Sequence, residues 1–276
     1  RAGFVSANVD SAIAALDALL KKLRSSTVVP PSFQLPKEKV WFRSANVSGK
    51  VSGLFSGQGS QYLNMFDEVA LNWPTFREQV QAFDNAGMSI CGKKASEVIY
   101  PRKPYSAEPA LDPSQLNTTF YAQPATVGCS LGAYEIFKKA GFSPVFVAGH
   151  SLGEISALVA AGKLSSEGAA KLVWHRSNAM TNSGSGGGAM CAVLGNGARD
   201  IKPQAQNVYV ANINAPKQLV LSGDAAGIAS EMKRLSAQGF KVVQLKVSDA
   251  FHTPYMQSAE KSFAQEVQRV GLQQGH

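Results

Sequence analysis

The run Val147-Ala148-Gly149-His150-Ser151-Leu152-Gly153-Glu154 constrains the fold more than any other part of the chain. Residues Gly141 to Ala148 read as a turn and then a short apolar strand, and Ile155 to Ala161, rich in Ala, Leu and Val, read as a helix. Ser151 is therefore expected on a sharp strand-to-helix turn. The glycines flanking it fit the nucleophile-elbow pattern, in which small residues permit a strained turn that lifts a Ser hydroxyl clear of the sheet. The start of the following helix favours negative charge that develops there. Without that chemistry, the same residues describe a Gly-rich junction whose Ser caps the helix.

A chain of 276 residues can bury a large core, as one large domain or two smaller ones, and 45% apolar with 17% charged residues is ordinary for a folded protein. The formal charge of +8 calls for anionic partners, either a phosphorylated cofactor, an acidic protein, nucleic acid or a membrane surface, unless it merely makes a basic, solubilising exterior. No basic-aromatic motif supports nucleic acid. Cys91, Cys129 and Cys191 are widely spaced and form no C-x-x-C pair, which argues against a disulfide framework or a zinc site and for a reducing, cytoplasmic setting. No apolar run is long enough to span a bilayer and no signal peptide opens the chain. Because the first residue is Arg1, the chain reads as a piece of a larger polypeptide.

From the N-terminus, Phe4 to Asp10 reads as a short strand or loop, and Ile13, Leu16, Leu19, Leu20 and Leu23 form a helical stripe that ends in Lys21, Lys22 and Arg24. Pro30, Pro31 and Pro36 mark a connector, so residues 1–49 are expected to be an adaptor. A strand from Val51 to Phe55 leads into Ser56-Gly57-Gln58-Gly59-Ser60-Gln61, a loop whose glycines bring main-chain N–H groups close to whatever it faces. It lacks the Lys of a P-loop, and an ordinary tight turn is the plainer reading. Helices are expected near 64–71 and 74–85, a proline-rich surface loop over 100–114, an amphipathic helix over 118–140 interrupted near Gln123-Pro124, and a helix over 166–180. A glycine-rich hinge spans 182–188. Beyond it, strands at 189–194, 208–213, 218–222 and 240–247 and helices at 198–205 and 225–238 make the β-α-β-β-α-β order of a ferredoxin-like subdomain. One more helix, 256–269, follows.

A nucleophilic Ser needs a base, and imidazole is the side chain poised for that near neutral pH. His150 adjoins Ser151 on a tight turn and is badly placed to face it, His175 lies on a helix, and His276 is terminal. His252, in a loop after a strand, is the preferred base. Asp249 is a weak choice for orienting it, and Glu154 reads as structural, suiting the first turn of a helix.

Five motifs in order carry a family resemblance: Gly57-Gln58-Gly59-Ser60-Gln61, Gly149 to Glu154, an Arg 25 residues after Ser151 at Arg176, Asn212-Ile213-Asn214-Ala215-Pro216, and Ala250-Phe251-His252. From about residue 40 to 260 the chain resembles malonyl-CoA:acyl carrier protein transacylases. The text around Ser60 to Met65 and Val98 to Tyr105 is most similar to the acyltransferase domain of polyunsaturated fatty acid synthases, with polyketide synthases next, and the first region is similar to the linker from ketosynthase to acyltransferase in such synthases.

The resemblance implies an α/β fold. A hydrolase-like large subdomain (50–182 and 249–276, with its C-terminal part truncated) would hold an inserted ferredoxin-like subdomain (183–248). It implies Ser151 as nucleophile, His252 as base, and main-chain N–H groups of Gln58 and Leu152 as the oxyanion hole. Arg176 would grip the malonyl carboxylate, Phe251 would crowd a C2 methyl group and so favour malonyl over methylmalonyl, and Gln123, Met180 and Asn214 would line the pocket. The substrates would be malonyl-CoA and the phosphopantetheine thiol of an acyl carrier protein, with a ketosynthase as neighbour and no tightly bound cofactor or metal. Two other readings stay open. A serine esterase or thioesterase would normally show Ser, acid, then His in chain order and has no use for Arg176, and an inactive docking module would gain no acyl group on Ser151.

Overall fold

The computed structural model describes residues 1–45, 49–101, 112–183, 187–245, 247 and 249–273, and the chain divides into two compact units, Arg1–Lys50 and Val51–His276. In the first unit, β1 (Ala2–Phe4), β2 (Ser32–Leu35) and β3 (Val40–Arg43) form an antiparallel sheet of order β1-β3-β2, against which α1 (Val9–Arg24) packs through Ala15 and Leu19. Asn8 and Ser11 close the start of α1 with a reciprocal capping box, and Lys21, Lys22 and Arg24 sit in its last turn. The expected connector is thus two strands. Pro31 and Pro36 flank β2 rather than interrupting it, so no ladder hydrogen bond is lost.

The second unit begins with β4 (Ser52–Phe55), α2 (Asp67–Asn72), α3 (Pro74–Cys91), α4 (Ser96–Ile99), α5 (Thr119–Lys139), β5 (Phe146–Gly149), α6 (Gly153–Ala160) and α7 (Ser166–Ser183). β4 and β5 pair in parallel, Ser52 beside Phe146 through Phe55 beside Gly149. Phe76, Phe83, Leu131 and Trp174, from α3, α5 and α7, make the largest core, and the Trp174 indole N–H donates to the Phe83 carbonyl at 2.7 Å. α5 is neither amphipathic nor interrupted. Every residue from Tyr121 to Cys129 is buried, as in a helix surrounded by others, and Pro124 lies close enough to the N-terminus that only one preceding turn meets its ring. Of the proline-rich loop, residues 102–111 lie outside the described residues, and Pro113–Asn117 forms a 3₁₀ turn.

β6 (Gly188–Leu194), β7 (Val208–Ala215), β8 (Gln218–Asp224) and β9 (Lys241–Gln244) form an antiparallel sheet of order β7-β8-β6-β9, the ferredoxin-like order, covered by α8 (Ala225–Ala237). The helix expected over 198–205 is a single 3₁₀ turn, Ala198–Asp200. Pro203 disfavours its continuation, and the Glu231 carboxylate of α8 takes the N–H groups of Gln204 and Ala205 at 2.8 and 2.7 Å. β9 is also shorter than expected, and residues 246 and 248 lie outside the described residues, as do 184–186 of the glycine hinge. α9 (Gln257–Val270) then packs on α7 through Phe263, Val267 and Val270. The fold is α/β, hydrolase-like around β4 and β5, with the ferredoxin-like sheet inserted between α7 and α9. Among the described residues no helix is long and apolar enough to cross a membrane.

Candidate active site

The elbow is closed by two glycines. A Cβ on Gly149 would stand 2.1 Å from the carbonyl of Gly153, and one on Gly153 would stand 2.3 Å from the Phe55 carbonyl oxygen at the end of β4. The chain therefore turns from β5 into α6 with no room for side chains at either position. Ser151 lies between them with a left-handed φ of 52°, while Leu152 below it is buried. The His150 N–H donates to the Phe55 carbonyl at 3.1 Å and extends the parallel pair to the brink of the turn.

His252 comes to Ser151 from 101 residues away. Its Nε2 lies 3.0 Å from Ser151 Oγ, and its own φ is 59°. The backbone is steadied there because the Thr253 hydroxyl donates to the Ala250 carbonyl at 2.6 Å and accepts from the Tyr255 N–H. A Cβ on Gly188 would stand 2.2 Å from the Ala250 nitrogen, so the start of β6 is also pressed against this segment. Burial holds the His252 pKa below the ordinary imidazole value. The Arg176 guanidinium and the His150 ring add to that effect, and Glu154 opposes it. At neutral pH the ring is neutral, with a lone pair to take the hydroxyl proton.

Arg176 and Met180 are one turn apart on α7 and face the same side chain, Gln123 of α5. Arg176 Nη1 donates to Gln123 Oε1 at 2.5 Å, and Gln123 Nε2 donates to Met180 Sδ at 3.4 Å. Burial lowers the Arg176 pKa, and Glu154 raises it. A cleft of about 720 Å³ opens over these groups, with Arg176, Met180 and His252 joined by Tyr209 and Val210 of β7 and by Met256 and Phe263 of the α9 side. A hydroxyl paired with a neutral imidazole, beside a partly buried guanidinium, suits nucleophilic attack on an acyl group that carries a negative charge. Among the described residues, no three His, Cys, Asp or Glu side chains gather as a metal site would require.

Residues 54–274 match the family described as the acyl transferase domain. The chain belongs to that family. It is 40% identical over 282 residues to a polyunsaturated fatty acid synthase polypeptide of Thraustochytrium sp., a match that covers 99% of this chain and 10% of that protein. It is 36% identical over 219 residues to the malonyl CoA-acyl carrier protein transacylase of Bacillus subtilis, covering 76% of this chain and 65% of that one. The chain thus spans less than two thirds of either relative. Among solved structures, a malonyl-transacylase in complex with a type II PKS acyl-carrier protein superposes with a TM-score of 0.70 at 27% identity, over 82% of this chain and 72% of that one.

Within this acyl transferase fold the remaining expected site residues take several places. Asn214 is the extra residue of a bulge in β7, between the Ile213–Leu219 and Ala215–Gln218 pairs, and a bulge re-aims the side chain it carries. Its Oδ1 lies 2.9 Å from His150 Nε2, so Asn214 meets the elbow rather than the cleft wall. Phe251 is 6% exposed and belongs to an apolar cluster with Met180, Met190, Ala192 and Val220. Of these, Met180 also lines the cleft, so the Phe251 ring packs next to its wall. Gln123 stands behind Arg176. The main-chain N–H groups of Gln58 and Leu152 donate to no protein acceptor among the described residues. The Gln58 side chain reaches Thr119 Oγ1 at 3.4 Å, tying the glycine-rich loop to the start of α5. Asp249 is buried, and its carbonyl accepts from the Phe251 N–H. His175 pairs with Glu266 at 3.6 Å, away from Ser151, and His276 lies outside the described residues. Sequence reading missed Tyr209, Val210, Met256 and Phe263 as cleft walls, because a lining residue in a strand or helix has the same local pattern as a packing one. It also missed the His150–Asn214 bond, for which the Asn at a bulge was the only signal.

Proposed function

We propose that this acyl transferase domain moves a malonyl group from coenzyme A to the phosphopantetheine thiol of an acyl carrier protein, through an ester on Ser151. The observation that carries the reading is a partly buried guanidinium, Arg176, in the same cleft as His252, whose Nε2 lies 3.0 Å from Ser151 Oγ. His252 Nε2 accepts the Ser151 proton as Oγ attacks the thioester carbonyl carbon. The resulting oxyanion is held by the N–H groups of Gln58 and Leu152. As the intermediate collapses, the C–S bond breaks and coenzyme A leaves as a thiol, with the proton returned from His252. The carrier thiol then repeats the sequence in reverse roles, its proton passing to His252 and back to Ser151. Arg176 pairs with the free malonyl carboxylate by parallel hydrogen bonds, which an acetyl group cannot supply.

The names of the relatives support this substrate pair and a setting in a polyunsaturated fatty acid or polyketide synthase. In such a setting residues 1–49 serve as a linker from a ketosynthase, residues 183–248 form a separate subdomain, and the protein works in the cytoplasm with no resident cofactor. The deciding experiment is exposure to labelled malonyl-CoA followed by holo acyl carrier protein. Label retained on Ser151 and then passed to the carrier is expected; rapid release as free malonate makes the protein a hydrolase, and no label on Ser151 makes it a docking module.

A further inference from the structure

Arg176 is partly buried, yet its partner is an amide rather than a carboxylate. Gln123 is 0% exposed, and both ends of its side chain are engaged, Oε1 by Arg176 Nη1 at 2.5 Å and Nε2 by Met180 Sδ at 3.4 Å. A guanidinium has only donors and a thioether sulfur can only accept, so one orientation of the amide satisfies both. Because Arg176 and Met180 project from consecutive turns of α7, a single side chain on α5 sets the direction of the guanidinium. No carboxylate among the described residues comes within ion-pair distance of it. Glu154 is an electrostatic neighbour that stays exposed in the first turn of α6, and Glu260 lies on the cleft wall. A neutral acceptor fixes the position of a partly buried cation without cancelling its charge, whereas a carboxylate there would form the ion pair intended for a ligand.

We propose that Gln123 is a positioning and specificity residue: by holding Arg176 with a neutral acceptor, it presents an uncancelled guanidinium to the cleft and so sets the preference for acyl groups that end in a carboxylate. The inference rests on the acyl-transfer reading above. Gln123 acts through Arg176 and need not touch the substrate.

The test compares the intact chain with its Gln123→Glu and Gln123→Leu variants, each acylated by malonyl-CoA and by acetyl-CoA, with adduct formation on Ser151 followed by mass spectrometry. In Gln123→Glu the new carboxylate pairs with Arg176, and the malonyl-to-acetyl rate ratio falls on the order of 30-fold. The same variant moves the acid limb of the pH–rate profile upward, since His252 faces Arg176, His150 and Glu154 and the first of these is now neutralised. Gln123→Leu removes the acceptor without adding charge. The malonyl KM rises and the acid limb stays in place. A wild-type ratio in both variants overturns the proposal, as does an equal loss for both donors with no movement of the limb in Gln123→Glu. Failure of the underlying reading has a different signature, because wild-type protein would itself either take no malonyl on Ser151 or release it as free malonate.

Discussion

Ser151 Oγ and His252 Nε2 lie 3.0 Å apart, and both residues hold left-handed backbone, with φ of 52° and 59°. That conformation costs a residue bearing a Cβ roughly 1–2 kcal/mol and persists only where the surroundings dictate it. On one side the surroundings are Gly149 and Gly153, which let the elbow close on itself. On the other they are the Thr253 hydroxyl bonds that tie the loop to Ala250 and Tyr255. The strain is therefore supported from both ends of the hydrogen bond that joins nucleophile to base.

Ser151→Ala is expected to abolish covalent labelling by malonyl-CoA, seen as the absence of an acyl adduct in the intact mass. His252→Ala keeps the nucleophile but removes its proton acceptor, and acylation should slow by roughly 10²–10⁴-fold.

Arg176→Ala should lower malonyl use relative to acetyl on the order of 30-fold, because the substrate carboxylate would enter a desolvated cleft with no cation to meet it. Competition between the two thioesters for Ser151 measures this directly. An unchanged preference would refute the carboxylate assignment.

Acylation should rise with pH through the His252 pKa, since only the neutral ring accepts the Ser151 proton. Burial first, and then Arg176 and His150, depress that pKa, so the acid limb should fall below the ordinary imidazole midpoint of 6.5. In Arg176→Ala one depressing charge is gone and the limb moves toward higher pH, while burial keeps it below the ordinary value. A pH–rate profile of single-turnover acylation reads both positions.

Gly149→Ala should leave little folded protein, because the added methyl would stand 2.1 Å from backbone that cannot move without opening the elbow. Gly59→Ala meets no atom within 4 Å but sits at φ 105°, so it should cost roughly 1–3 kcal/mol of conformational strain. Thermal melting of the two variants separates collision from strain.

Glu231→Ala should destabilise the ferredoxin-like sheet by about 3 kcal/mol, since it frees the N–H groups of Gln204 and Ala205 and strands Arg234. The bonds to Arg234, Ala205 and Gln204 hold the Glu231 pKa below its ordinary value against the cost of burial. Its contribution is therefore present above the ordinary carboxylate range and lost as pH falls through the depressed pKa. Denaturant midpoints at neutral and acid pH should converge in the variant.

Much of the architecture was legible in the residues because it rests on short-range rules. The two glycines around Ser151 and the switch from a short apolar run to helical spacing placed β5, the elbow and α6 within a residue or two. The alternation beyond residue 188 marked the four strands of the inserted sheet. Errors came where a distant side chain overrode local preference. Residues 202–205 do not continue the single turn because Glu231 claims the N–H groups of Gln204 and Ala205, and α5 is buried all round because α3 and α7 enclose it, which no periodicity within α5 announces.

Local pattern alone chose the nucleophile, the secondary structure around it and the helix that bears Arg176, since backbone geometry and apolar spacing are properties of neighbouring residues. The partners were settled in three dimensions. A hydrogen bond between residues 101 apart, an amide from α5 beneath the guanidinium of α7, and a bulged Asn214 against His150 each depend on how separate elements pack. Phe251, adjacent to His252 in order yet turned into an apolar cluster, shows the reason. Adjacency in the chain sets where a backbone passes, while packing sets which way each side chain faces.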